Sequence, residues 1–118
     1  MQFGLGPFSM QSPPGSGKAY ADLYREMLNQ IEIAEEIGFE SAWLVEHHFM
    51  DDGMCPSLLV TAAAMAARTS TLKIGTSMYL LPLHRPVQTA EDVAVLDNIA
   101  QGRFIFGVAT GYRPEEYA

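Results

Sequence analysis

Apolar residues along the chain are spaced in two alternating ways, in short continuous runs and in longer stretches with a period of three to four. Gln2 to Phe8 is a short apolar run that ends in Ser9 to Gly17, a stretch rich in Ser, Pro and Gly that continues neither a strand nor a helix. From Ala19 to Ile37 the positions Tyr20, Leu23, Tyr24, Met27, Ile31, Ala34 and Ile37 recur at helical spacing, with Glu26, Glu32, Glu35 and Glu36 elsewhere on the circumference. This predicts an amphipathic helix stopped by Gly38. Ser41 to Val45 reads as a buried strand running into Glu46-His47-His48. Pro56, at a first helical position, opens a second helix whose many alanines through Ala67 suit close packing on another helix. Leu72 to Leu81 predicts a third strand interrupted by Gly75. Pro86 opens a third helix carrying Val87, Ala90, Val93, Ala94 and Leu96 and ending at Gly102, and Arg103 to Val108 predicts a fourth strand.

The order is therefore βαβαβαβ in units of roughly 30 residues. Strands that are apolar throughout, with no alternation, belong to a parallel sheet covered by helices. Two architectures fit, an open doubly wound sheet or part of a (β/α)8 barrel. A whole barrel takes about 250 residues, so residues 1–118 are expected to form a single domain supplying about the first four strands and three helices.

Composition narrows the function classes. Hydrophobic residues make up 48% and charged residues 18% of the 118, which suits an ordered domain with a core. Seven Lys and Arg against fourteen Asp and Glu give a net charge of −7 with no basic cluster, arguing against nucleic acid and anionic membrane as partners. The longest uncharged apolar stretch, Cys55 to Ala67, is too short to span a bilayer and the N-terminus has no export pattern, so a cytoplasmic protein is expected. One cysteine and three histidines provide neither an internal disulfide nor the spacing of a structural zinc site.

Two nucleotide-binding patterns fail. Gly15-Ser16-Gly17-Lys18 lacks the glycine a phosphate loop needs at Ser12 and the hydroxyl it needs at Ala19, and Gly4-Leu5-Gly6 lacks the third glycine of a dinucleotide fingerprint. Glu46-His47-His48 is more informative. Side chains leaving a strand alternate, so Trp43, Val45 and His47 share one face and Leu44, Glu46 and His48 the other. Both imidazoles cannot then readily bind one ion, and no metal site is expected. Ligands bind at the carboxyl ends of parallel strands, and His moves protons near neutral pH, so position alone makes one of the two histidines a catalytic candidate beside a structural reading. Elsewhere the structural reading leads: Asp97 paired with Arg103, Tyr20, Tyr24 and Met27 in the core, Cys55 a packed thiol, and Asp51 with Asp52 a solvated loop. His84 is either a ligand contact or an exposed or capping residue.

The run Phe39-Glu40-Ser41-Ala42-Trp43-Leu44-Val45-Glu46-His47-His48-Phe49 resembles the second-strand motif of bacterial luciferase and its relatives, the luciferase-like flavin-dependent monooxygenases. The resemblance continues through Ala67-Arg68-Thr69, Lys73-Ile74-Gly75-Thr76, Leu80-Leu81-Pro82, His84-Arg85-Pro86-Val87, Leu96-Asp97 and Gly102-Arg103-Phe104-Ile105-Phe106-Gly107-Val108, and so covers the chain. It implies a TIM barrel, reduced FMN delivered by a partner flavin reductase, O2 as co-substrate, a small organic substrate, and a homo- or heterodimer. A deazaflavin fits less well, because Glu-His-His resembles the FMN branch. By position His47 matches the family's catalytic histidine, and Glu116 lies about where luciferase has a catalytically important aspartate. Val45, Met78 and Ala109 match positions lining the flavin ring, and Thr110 a position near its phosphate. Ser77-Met78 falls where the family has a non-prolyl cis peptide, so that bond is expected to be cis. Ala109 stands where luciferase has cysteine and Thr110 where it has arginine, which implies weaker phosphate binding from this segment. Light emission is not implied. A noncatalytic subunit-like relative and an inactive fragment are the alternative readings.

Overall fold

The computed structural model describes residues 1–13, 15–52 and 54–117. Strand β1 (Gly4–Phe8) leads through the Ser/Pro/Gly loop to helix α1 (Tyr20–Glu36), then β2 (Ser41–Leu44), α2 (Leu58–Arg68), β3 (Lys73–Thr76) and β4 (Tyr79–Leu80). After a 3-10 turn at Leu81–Leu83 come α3 (Pro86–Ala100), β5 (Phe104–Ile105), β6 (Val108–Ala109) and a second 3-10 turn at Pro114–Tyr117. β1, β2, β3 and β5 form one sheet in that order, with every neighbouring pair parallel. Parallel strands placed side by side in chain order, each joined to the next by a helix, are the growing edge of a barrel and not a doubly wound sheet, whose order reverses at a switch point.

The predicted limits of α1 and α3 hold because local chemistry sets them, whereas α2 starts later than predicted. Gly38, at φ 91°, takes the left-handed turn after α1, and Gln101 with Gly102, at φ 54° and 78°, does so after α3. Pro86 occupies the first turn of α3, where its missing N–H costs nothing. Pro56 stands just outside α2, whose N-cap is Ser57.

The third and fourth strands are each shorter than predicted. Leu72–Leu81 divides into β3 and β4 around Ser77 and Met78, and the Arg103–Val108 run divides into β5 and a β6 that extends to Ala109 and pairs with β4 in a separate two-stranded ladder. At the break the Thr76 hydroxyl donates to the Gly107 carbonyl at 2.8 Å and accepts from the Gly107 N–H at 3.0 Å, a side chain taking the place of ladder pairing. A Cβ at Gly107 would collide with the Thr76 carbonyl oxygen, so only glycine permits this approach.

The core lies between the sheet and the helices. Ile31 and Met27 of α1, Ala62 and Met65 of α2, Leu96 and Ala100 of α3 close over Ala42, Leu44 and Ile74 of the strands. The alanines let α2 lie close against α3, as expected. On the opposite face of the sheet Trp43 lies across β3, and a Cβ on Gly75 would enter its indole ring. Tyr20 departs from the core reading: it is exposed and donates its hydroxyl to the Asp51 carbonyl at 2.9 Å, because only Met27, Ile31 and Ala34 of α1 are fully buried.

The Asp97–Arg103 pair is not formed. Asp97 is exposed, because α3 turns only Thr89, Leu96 and Ala100 fully inward. Arg103 instead donates to the carbonyls of Ala66, Thr69 and Leu72 and to the Thr69 hydroxyl, at 2.7–3.1 Å, covering the C-terminal end of α2. Asp51 and Asp52 are also less free than expected, since the Asp52 side chain accepts from the Gln11 amide and its carbonyl accepts from the Ser12 N–H.

Glu35 performs a matching task for the next strand. Its carboxylate accepts the N–H groups of Ser70, Thr71 and Leu72 and the Thr71 hydroxyl at 2.6–3.1 Å, fastening the end of α1 to the entry of β3. Burial works against the charge, but these donors outweigh it and hold the carboxyl below its ordinary 4.5. A depressed carboxylate stabilises the fold above the unfolded value and loses that contribution as pH falls through the folded value. Glu35→Ala is therefore expected to lower the unfolding free energy by about 1–2 kcal/mol at pH 7. The difference from wild type should shrink on acidification below 4.5, as read by urea titration at both pH values.

Candidate active site

The alternation at the end of β2 carries past the strand and distributes three ionisable side chains to two sides. His47 follows Trp43 and Val45, whereas Glu46 and His48 follow Leu44. The His47 backbone is fixed by its N–H donating to the Cys55 carbonyl at 3.2 Å. Cys55 itself is fully buried, a packed thiol as expected.

On the first side, His47 Nδ1 lies 2.8 Å from Glu116 Oε1, and the same oxygen accepts the His48 N–H at 3.1 Å. With Glu116 ionised the network assigns the proton to Nδ1 and leaves Nε2 as the ring nitrogen free to take or give one. Glu116 comes from the 3-10 turn at Pro114–Tyr117 and its side chain is 1% exposed. Burial opposes its charge, but the donors from His47 and from the His48 backbone, with the positive character of His47 and Arg113, prevail and hold the carboxyl below its ordinary 4.5. Its second oxygen, Oε2, is buried with no hydrogen-bond partner among the described residues. A buried carboxylate oxygen without a donor is costly, so this atom is an acceptor waiting for one.

Beside this pair lies a cavity of about 270 Å³ whose lining includes Val45, His47, Ser77, Met78, Ala109 and Thr110. These positions come from the ends of β2, β3 and β6, the carboxyl side of the sheet, where a barrel carries its chemistry. The structure thus brings together the flavin-site candidates of the sequence, Val45, His47, Ser77, Met78, Ala109 and Thr110, with Glu116 joined to them through His47. The Ser77–Met78 peptide is cis, as expected; Gly6–Pro7, also cis, was not anticipated. Met78 is 43% exposed although apolar and, with Ser77 and Leu80, floors the cavity.

On the second side sequence reasoning missed a cluster. Glu46 is fully buried and its Oε1 lies 2.7 Å from both His48 Nε2 and His84 Nε2, while Oε2 accepts the Leu80 N–H at 3.0 Å. His84 is stacked on Tyr79 with ring centres 4.1 Å apart, so it is neither free in solvent nor a cap. The Glu46/His48 half was legible from the i,i+2 alternation; His84 was not, because nothing in its local sequence points to β2. These three donors are close enough together to be considered for a metal ion. Separations of 2.7 Å are hydrogen-bond lengths, however, whereas ligands around a tetrahedral ion with bonds of 2.0–2.1 Å stand about 3.3 Å apart. In this arrangement the cluster is held by hydrogen bonds.

The parallel sheet thus carries an imidazole paired with a buried carboxylate at the carboxyl ends of its strands. The family described as luciferase-like monooxygenase matches residues 1–118, and the chain belongs to it. It is 36% identical over 123 aligned residues to the alkanal monooxygenase alpha chain of Aliivibrio fischeri, covering 99% of this chain and 32% of that one. Among solved structures, a monooxygenase, RslO1, from Streptomyces bottropensis superposes with a TM-score of 0.90 at 34% identity, over 99% of this chain and 35% of that one. The oxygenating constituent of 3,6-diketocamphane monooxygenase from Pseudomonas putida, solved with FMN, shares the fold at a TM-score of 0.82 and 23% identity, over 97% of this chain and 30% of that one. The chain thus spans about a third of the length of the relatives it matches. No helix among the described residues is long and apolar enough to cross a membrane.

The Glu116 carboxylate is expected to set the tautomer of His47. In nitrogen-15 NMR spectra of the imidazole, the wild-type ring should carry its neutral-form proton on Nδ1. Glu116→Gln, which replaces an acceptor by an amide able to present a donor, should give a mixture shifted towards Nε2–H; an unchanged ring spectrum would refute the assignment.

Proposed function

We propose that the protein containing this chain is a flavin-dependent monooxygenase that uses reduced FMN and O2 to oxidise a small organic molecule, and that residues 1–118 supply the N-terminal half of its barrel. The observation that carries this reading is the cavity at the strand ends, with His47 on its wall and hydrogen-bonded to the buried Glu116. The residues present suit an isoalloxazine ring. Val45, Met78 and Ala109 offer apolar surface for its faces, and Ser77 and Thr110 offer hydroxyls for its polar edge.

When bound there, reduced FMN supplies the two electrons that O2 chemistry requires. The protein's own part is positioning and proton handling. The apolar residues exclude water from one side of the ring, which strengthens every polar contact within the cavity. His47 holds or delivers a proton at Nε2, and Glu116 steadies the imidazolium form by accepting from Nδ1. Thr110 brings one hydroxyl where a guanidinium would bring a bidentate fork, so phosphate affinity has to come from elsewhere in the protein.

A diffusible cofactor of this kind calls for a flavin reductase as partner. The exposed groove between α2 and α3 suits a second subunit: Val60, Val95 and Ile99 are 72%, 60% and 44% exposed, and Asp92 is the one charged residue on a lining otherwise formed by Leu59, Ala63 and Leu96 as well. Val60→Asp together with Val95→Asp is expected to convert a dimer to monomer, as read by light scattering; an unchanged mass would place the subunit contact elsewhere.

Anaerobic titration of the full-length protein with reduced FMN, followed by mixing with O2, tests the function. His47→Ala is expected to slow the oxygen-dependent phases by about 10²–10⁴-fold while changing the FMN dissociation constant only about threefold or less. Binding with no effect of His47→Ala would return the protein to a noncatalytic flavin-binding subunit. Preference for a deazaflavin over FMN would move it to the other cofactor branch, and no flavin binding at all would overturn the reading.

A further inference from the structure

Glu46 is the buried ionisable group that this chemistry does not use. It is fully shielded from solvent, yet it accepts from three donors that belong to two parts of the chain: His48 just beyond β2, and Leu80 and His84 on either side of the 3-10 turn that follows β4. A carboxylate presents about four acceptor positions, so three donors converging on it form a charge-assisted clamp, which is stronger than neutral contacts of the same number.

The clamp grips the segment that floors the cavity. Leu80 N–H is two residues beyond Met78, and both Leu80 and Glu46 are part of the cavity wall. The rest of this segment is held by Ser77 N–H donating to the Leu44 carbonyl at 2.6 Å, Tyr79 N–H donating to the Gly107 carbonyl at 2.8 Å, and the Tyr79 hydroxyl pairing with the Thr89 hydroxyl at 3.2 Å. β4 itself is only two residues long, and its sole ladder partner is the equally short β6. So short a ladder cannot fix the depth of residues 77–80 against β2 by itself. Glu46 is the side chain that ties them to it.

We propose that Glu46 is a positioning residue for the cofactor: through Leu80 N–H, His48 and His84 it sets the position of the Ser77–Leu80 floor, and so how tightly the cavity receives the flavin ring. The inference rests on the flavin reading above, but it makes a statement about the protein without ligand as well. Glu46→Gln keeps the volume while exchanging one acceptor oxygen for an NH2 group. In either amide orientation that group faces an existing donor, Leu80 N–H or the imidazole pair. Glu46→Asp keeps the charge but withdraws it by one methylene.

Two measurements on the full-length protein test this. In hydrogen exchange without ligand, peptides covering residues 77–83 should lose protection in Glu46→Gln and, to a smaller degree, in Glu46→Asp, while peptides from α1 and α2 exchange as in wild type. In titration with FMN, Glu46→Gln should bind about tenfold more weakly, the equivalent of one lost charge-assisted hydrogen bond. Glu46→Asp should fall between Gln and wild type. The reduction potential of bound FMN should move in Glu46→Gln, where a buried charge is removed, and stay in Glu46→Asp, where it is kept. Unchanged exchange of residues 77–83, wild-type FMN affinity in Glu46→Gln, or loss of fold in both variants would each overturn the proposal. If wild type fails to bind FMN, the flavin reading fails while the exchange experiment still decides whether Glu46 holds the floor.

Discussion

A single hydrogen bond, His47 Nδ1 to Glu116 Oε1 at 2.8 Å, joins residues 69 positions apart, and the fold below it can be understood as the means of bringing them together. An imidazole next to a buried carboxylate is useful only if the carboxylate stays ionised, and Glu116 does so against the cost of its burial because two N–H groups point at one of its oxygens. Those two donors come from consecutive residues, the ring of His47 and the backbone of His48. That arrangement demands that β2 end where it does. It also demands that the chain return, through α2, β3, α3 and β5, to the same end of the sheet, which parallel strands in sequential order achieve and antiparallel ones would not.

The same strand end organises the opposite side. Alternation turns the Glu46 side chain away from that of His47, to bind Leu80 of β4 and the His48 and His84 imidazoles, so one tripeptide places both an imidazole and an anchor at the cavity wall. Substitutions in this tripeptide should therefore be coupled to one another, since the backbone of His48 serves Glu116 while its ring serves Glu46.

What the sequence revealed follows from the range over which each signal acts. The period of α1, the Gly38 and Gly102 stops, Pro86 at the start of α3 and the two faces of β2 depend on neighbours within a few residues, and all of them hold in the structure. The division of the third and fourth strands was hidden, because it depends on Thr76 and Gly107, 31 residues apart, exchanging a side-chain contact for a ladder. Arg103 was assigned the nearest carboxylate in sequence, Asp97, when the open carbonyls at the end of α2 made the better partner. His84 was ambiguous for the same reason: its partner Glu46 lies 38 positions away. The motif around His47 named the site; pairing geometry, which no local pattern contains, named its support.

A crystal structure of the full-length protein with FMN tests the central claim most directly. The isoalloxazine ring is expected against Val45, Met78 and Ala109, with His47 at its edge and still paired with Glu116. A flavin bound away from this cavity, or bound there with the His47–Glu116 contact broken, would contradict it.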